Sequence, residues 1–241
     1  MPSQTNTELS VIQHIHTVWL GNKMNTLAQV CISDWEKQGY KYTVWTDKNP
    51  LVKQWIEECR FARECYRRKL YAFVSDYIRL KALQAQGGLY LDADVTLFKN
   101  PFPLFNNLDF SVGYESKSET GTALIYARPD SKILHRLIEF YEKDIWSSSL
   151  YIGPSIQTHI LFNEDISTTD KSHIYAKEYF FDYHPDKHTM DYKPGENCYA
   201  IHWFNNSWSK KSGLGFVIGK HKGILGRFYE WQKQLLRKSK K

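Results

Sequence analysis

The stretch Gly87-Gly88-Leu89-Tyr90-Leu91-Asp92-Ala93-Asp94-Val95 constrains this chain more than any other part of it. Gly88 to Leu91 is a short apolar run opened by a double glycine, the pattern of a buried strand. Asp92 and Asp94 then fall where the strand ends, and in open α/β sheets ligands gather at the carboxyl ends of strands. Two carboxylates one residue apart are hard oxygen ligands suited to Mn²⁺ or Mg²⁺, with a phosphorylated substrate to complete the coordination. Asp-x-Asp pairs also occur by chance on solvated turns, so the strand and the glycines are what give this one meaning.

The residues just before it carry a second signal. Ala72 to Gln86 reads as a helix, with Phe73, Leu80 and Leu83 on one face at three- and four-residue spacing. Gly87 is placed to end that helix in a left-handed conformation. Asp76 falls on the apolar stripe and Arg79 borders it. Charges in such positions are costly unless they are paired or engage something charged. Two arrangements satisfy this: a structural Asp-Arg pair one turn apart, or a polar cluster on the floor of a site facing Asp92 and Asp94.

Ala72-Phe73-Val74-Ser75-Asp76-Tyr77-Ile78-Arg79, followed by Gly87 to Val95, resembles the signature of the DXD sugar-binding glycosyltransferases of family 32. That family includes capsular-polysaccharide and oligosaccharide-chain transferases, and glucosylating bacterial toxins are distant relatives. Ile15-His16-Thr17-Val18-Trp19-Leu20-Gly21 is similar to the family's first strand. Ile201-His202-Trp203-Phe204-Asn205-Asn206-Ser207-Trp208 resembles its terminal His-x-x-x-x-Ser-Trp element. Ala93 stands where the family more usually has Thr or Val, and Leu89 where it has Ile; neither change removes a ligand.

The resemblance implies an α/β fold of the GT-A type, a Rossmann-like nucleotide-sugar-binding sheet that is mainly parallel, with a small attached β element. It implies a metal-dependent, retaining transfer of a hexose from a nucleotide sugar, UDP-linked, to a growing surface oligosaccharide such as capsule or lipopolysaccharide. In this scheme Asp94 is the first metal ligand, with Asp92 and His202 as the others, and the cofactor is Mn²⁺ or Mg²⁺. A neutral imidazole suits Mn²⁺ better than Mg²⁺, although a His beside Trp203 is also compatible with a core position. Asp76, Arg79 and Asp92 are the catalytic candidates. The donor would lie against Trp19, Leu20, Ser75, Asp76, Arg79, Tyr90, Asp92 and Ala93, with Ser207 and Trp208 contacting the diphosphate from a closing C-terminal segment. A Trp ending a first strand can equally be a buried residue, and Gly153-Pro154 can open a helix on the acceptor side.

Along the chain, strands are expected near His14 to Leu20, Tyr40 to Thr46, Phe110 to Tyr114 and Ala123 to Ala127. Helices are expected at Thr26 to Gln38, Leu51 to Glu58, Phe61 to Lys69 and Ser131 to Lys143, with Lys171 to Gly195 irregular. A chain of 241 residues with 42% hydrophobic content suits one α/β domain, taken as residues 1–222. From Ser209 to Lys241 ten Lys/Arg face one acidic residue, a net of +9 against +6 for the whole chain, so residues 1–208 sum to −3. Residues 223–241 read as a basic amphipathic helix with Ile224, Phe228, Trp231 and Leu235 on one stripe. Such a helix either lies on an anionic membrane surface or closes a core.

The four cysteines lack Cys-x-x-Cys spacing, and no leader peptide or transmembrane run is visible. These features read as a cytoplasmic protein with reduced thiols, peripheral at most on the inner membrane face, acting on an oligosaccharide or lipid-linked oligosaccharide acceptor. A net acidic body argues against a nucleic-acid partner. Two other functions fit parts of the pattern. Leu91 to Thr96 also matches the nucleophile loop of haloacid-dehalogenase-type phosphatases, but no downstream acidic pair accompanies it. The other is a catalytically silent carbohydrate- or membrane-binding accessory protein, which the intact charged positions oppose.

Overall fold

The central strands Gly88–Leu91 and Thr120–Ala127 are buried along their whole length, so the sheet is covered on both faces. The structure, a computed structural model, describes residues 10–21, 23–164, 170–183, 192–204, 214–224 and 228. In order, the elements are β1 (Ile15–Trp19), α1 (Thr26–Lys37), β2 (Tyr42–Thr46), α2 (Pro50–Glu58), α3 (Arg60–Arg67), α4 (Tyr71–Gln86), β3 (Gly88–Leu91) and β4 (Val95–Leu97). There follow β5 (Phe110–Tyr114), β6 (Thr120–Ala127), α5 (Lys132–Glu139), α6 (Gly153–Asn163), β7 (Ser172–Tyr175), α7 (Lys177–Phe180), β8 (Ala200–His202) and α8 (Leu214–Ile218). Side-chain caps start several helices: Asn25 accepts from the Ala28 N–H, Asn49 from Leu51 and Ser131 from Leu134.

Six strands form one sheet in the order β2-β1-β3-β6-β5-β7, and β4 pairs with β8 in a separate two-stranded sheet. β1 is parallel to β2 and β3, and β5 is parallel to β7, while β6 runs antiparallel to both its neighbours. Five of six strands therefore point one way, as the mainly parallel expectation has it. The carboxyl ends of β1, β3 and β5 and the amino end of β6 share one rim. On β3, Tyr90 packs into the core beneath α2 to α6, and Leu89 and Leu91 into the opposite core with Trp35, Phe105 and Phe181.

The tight contacts explain the double glycine. Gly87 has φ 66° and ψ 176°, a region open to glycine alone, rather than the left-handed helical conformation expected from sequence. A Cβ on Gly88 would lie 2.5 Å from the His14 carbonyl oxygen, so β3 approaches β1 only without one.

His16 of the first motif is fully buried and structural. Its Nδ1 accepts from the Trp45 indole N–H at 3.1 Å, so its Nε2 carries the hydrogen and donates to the Gly87 carbonyl at 2.8 Å. Burial pushes its pKa down to about 4, against the opposing pull of the Gly87 hydrogen bond. A depressed histidine contributes stability that is fully present above its unfolded pKa of 6.5 and is lost as pH falls to about 4. The expected loss is about 3 kcal/mol across that window. Urea unfolding measured between pH 7 and pH 4 should show this slope, and His16→Gln, which keeps a donor and an acceptor, should flatten it; an equal slope in the variant would assign the loss elsewhere.

Several expectations need correction. The expected helix Ser131 to Lys143 widens into a π-helical turn at Phe140–Asp144, and the strand expected from Ala123 begins at Thr120. The described part of 171–195 is not irregular but contains β7 and α7, where the half-exposed Ser-His-Ile-Tyr lacks a clean apolar alternation. All four cysteines are buried free thiols, and burial raises the pKa of each. Among the described residues no helix is long and apolar enough to cross a membrane. Of the expected C-terminal helix, Ile224 and Phe228 are exposed, while Trp231 and Leu235 lie outside the described residues.

Candidate active site

Because strand ends share a rim, residues far apart in sequence meet there. A cleft of about 600 Å³ opens at the carboxyl edge of the sheet. Trp19 and Leu20 reach it from the end of β1, Ser75, Asp76 and Arg79 from α4, and Tyr90 to Asp94 from β3 and the turn after it. His202 arrives from β8. The β4–β8 pairing, with Val95 opposite His202, carries that histidine to Asp94. Every candidate from the sequence within the described residues lines this one cleft; Ser207 and Trp208 lie outside them.

Arg79 organises the floor. Its Nη2 lies 2.8 Å from Asp76 Oδ1 and 3.4 Å from Asp92 Oδ1, and its Nη1 donates to the Thr122 carbonyl at 2.6 Å. The guanidinium also lies over the Tyr90 ring, 4.7 Å from its centroid. Burial opposes its charge, but Asp92, Tyr90 and Asp76 more than compensate and push its pKa up. The two arrangements open at the sequence level thus coexist: Asp76 and Arg79 pair one turn apart, and Arg79 also faces Asp92.

Asp76 has a second grip. It accepts a hydrogen bond from the Gly153 N–H at the start of α6, and a Cβ on Gly153 would come within 3.0 Å of its Oδ1. Burial raises the Asp76 carboxyl to about 6, while Arg79 limits the rise. Asp92 has one oxygen fixed as well, since Oδ1 accepts from the Tyr90 hydroxyl at 2.6 Å. Its Oδ2 turns towards His202 Nε2, 3.9 Å away, and Asp94 Oδ1 lies 3.4 Å from the same nitrogen.

Asp92, Asp94 and His202 each offer a ligand atom, all within 4.8 Å of one another. Burial works against a charged His202, yet Asp94, Asp92 and Glu115 together raise its pKa. The cluster thus attracts positive charge. Two carboxylates and an imidazole form a mixed oxygen–nitrogen donor set that fits Mn²⁺, so the residues present suit the cation the resemblance implies.

Sequence reasoning missed part of the wall. Glu115, Glu119 and Ser155 also line the cleft. Glu115 is the first residue after β5, so the strand-end argument that singled out Asp92 applies to it equally.

Residues 21–111 match the family described as glycosyltransferase sugar-binding region containing DXD motif. This part of the chain is similar to that family. Asp76, Arg79, Asp92 and Asp94 lie inside the matched residues; Trp19, Leu20, Glu115 and His202 lie outside them. Subversion of eukaryotic traffic protein A of Legionella pneumophila is 30% identical over 125 residues, covering 42% of this chain. The chain spans only 19% of that relative's length. Among solved structures, PaToxG glycosyltransferase is 19% identical, with 66% of this chain and 72% of that one covered at a TM-score of 0.48. A glycosyltransferase involved in glycosylation of the major capsid of PBCV-1 is 13% identical, with 79% and 93% covered at a TM-score of 0.47.

Proposed function

We propose that the cleft transfers a hexose from a UDP-sugar to a hydroxyl of an oligosaccharide or lipid-linked oligosaccharide, with retention of anomeric configuration. The observation that carries this reading is the convergence of Asp92, Asp94 and His202 beside the Asp76–Arg79 pair in one cleft, with the DXD region supplying four of the five. Asp94, Asp92 and His202 would hold Mn²⁺ (or Mg²⁺), which when bound supplies Lewis-acid stabilisation of charge on a departing diphosphate.

The chain's own residues do the positioning. Tyr90 and Arg79 fix one oxygen of Asp92 and leave the other facing the cluster. Asp76, held by Arg79 and Gly153, presents its carboxylate to donor-sugar hydroxyls. The buried Arg79 keeps a positive charge on the floor, where it offsets phosphate charge. Trp19, at the mouth of the first strand, offers an aromatic wall to the nucleobase. The net charge of +9 after Ser209 supports a role for residues 223–241 at an anionic, cytoplasmic membrane face where such acceptors are assembled.

The test is donor hydrolysis. Incubation with a panel of UDP- and GDP-sugars and Mn²⁺ should release nucleotide from one UDP-sugar, and EDTA should abolish it. Absence of both turnover and calorimetric binding for every donor would sink the reading. The anomeric configuration of the released sugar, followed by NMR before mutarotation, reports retention.

A further inference from the structure

The acids around the cleft differ in what they hold. Asp92 accepts from Tyr90, Asp76 pairs with Arg79, Asp94 faces His202, and Glu119 Oε1 accepts from the Ser155 hydroxyl at 3.0 Å. Glu115 lines the same cleft and is partly withdrawn from solvent, but its carboxylate has no hydrogen-bond or ion-pair partner among the described residues. Its main chain is fixed: the Glu115 N–H donates to the Glu119 carbonyl at 2.9 Å, closing the turn between β5 and β6. Glu115 shares the cleft lining with Asp92, Asp94 and His202, and burial raises its pKa while His202 lowers it.

A carboxylate that lines a cleft without a protein donor is free to accept a hydrogen bond from a ligand bound there. The donor's diphosphate is excluded by charge, whereas a sugar hydroxyl is a neutral hydrogen-bond donor. We propose that Glu115 accepts a hydrogen bond from the attacking hydroxyl and fixes it on the metal side of the anomeric carbon. This assignment rests on the transferase reading above, and it gives that reading a geometric source of retention. The bond from the anomeric carbon to the diphosphate oxygen breaks, and its electron pair stays on that oxygen. The acceptor oxygen forms the new bond on the same face, and its proton passes to the departing phosphate. Glu115 stays ionised throughout and orients the hydroxyl.

Water serves as the probe acceptor, with the full chain, Mn²⁺ and whichever UDP-sugar the wild type hydrolyses. Glu115→Gln should lower the hydrolysis kcat about 10–100-fold while donor Kd and Mn²⁺ affinity stay within about twofold. Glu115→Asp, which keeps the charge at a shorter reach, should recover part of the rate. An unchanged kcat would overturn the assignment, as would a parallel fall in donor or Mn²⁺ affinity, which would place Glu115 in the donor or metal site. A wild type that neither binds nor hydrolyses any donor sinks the transferase reading and this assignment together. An active wild type with an indifferent Glu115→Gln sinks this assignment alone.

Discussion

Asp94→Ala is expected to lower donor turnover by ~10²–10³-fold, the scale of losing one electrostatic stabiliser of a charged transition state. The substitution removes the carboxylate 3.4 Å from His202 Nε2. It leaves the main chain intact, since the Asp94 carbonyl still accepts the Trp203 N–H at 3.0 Å. Mn²⁺ affinity should fall with turnover, and the thermal unfolding of the metal-free chain should change little. Turnover that survives in Asp94→Ala, with Mn²⁺ affinity unaltered, would move the metal site elsewhere.

Arg79→Met should cost the fold about 3–5 kcal/mol, the usual penalty for stripping one partner from a buried charge cluster. The side chains of Arg79 and Asp76 are only 6% and 13% exposed. Removal strips the counter-charge from two buried or partly buried carboxylates and the Arg79 donor from the Thr122 carbonyl. Lysine is not equivalent, because a single ammonium cannot span Asp76, Asp92 and Thr122 as a planar guanidinium does. Urea unfolding of wild type, Arg79→Lys and Arg79→Met should rank them in that order. A methionine variant of undiminished stability would show that the guanidinium is kept for ligand binding alone.

The parts of this molecule legible in the sequence are those with local signals. The double glycine, the apolar run and the two aspartates marked β3 and the rim beside it, and three-four spacing marked α4. The three-residue strands β4 and β8 were not legible, because a periodicity needs more residues than they have. That pairing is what brings His202 to Asp94; from sequence, only the resemblance connected them. His16 carried a misleading signal. It belongs to a motif, yet its partners are Trp45 and Gly87, and it serves the sheet rather than the cleft. Glu115 was missed because it stands alone, with no second acid at a telling spacing, and its position became informative only once β5 had a direction.

That direction has an evolutionary consequence. With β6 reversed between β3 and β5, the turn from Glu115 to Glu119 lands on the rim that the aspartates occupy. The parts that would grip metal and nucleotide are locked into core-packed strands and a buried helix. The turn facing them carries four exposed residues, Ser116, Lys117, Ser118 and Glu119, and takes little part in the core. Surface turns accept changes in length and residue that buried elements do not. The molecule thus separates a core-packed grip from an exposed tip, so the acceptor preference proposed for this cleft is open to change through a few substitutions in one hairpin.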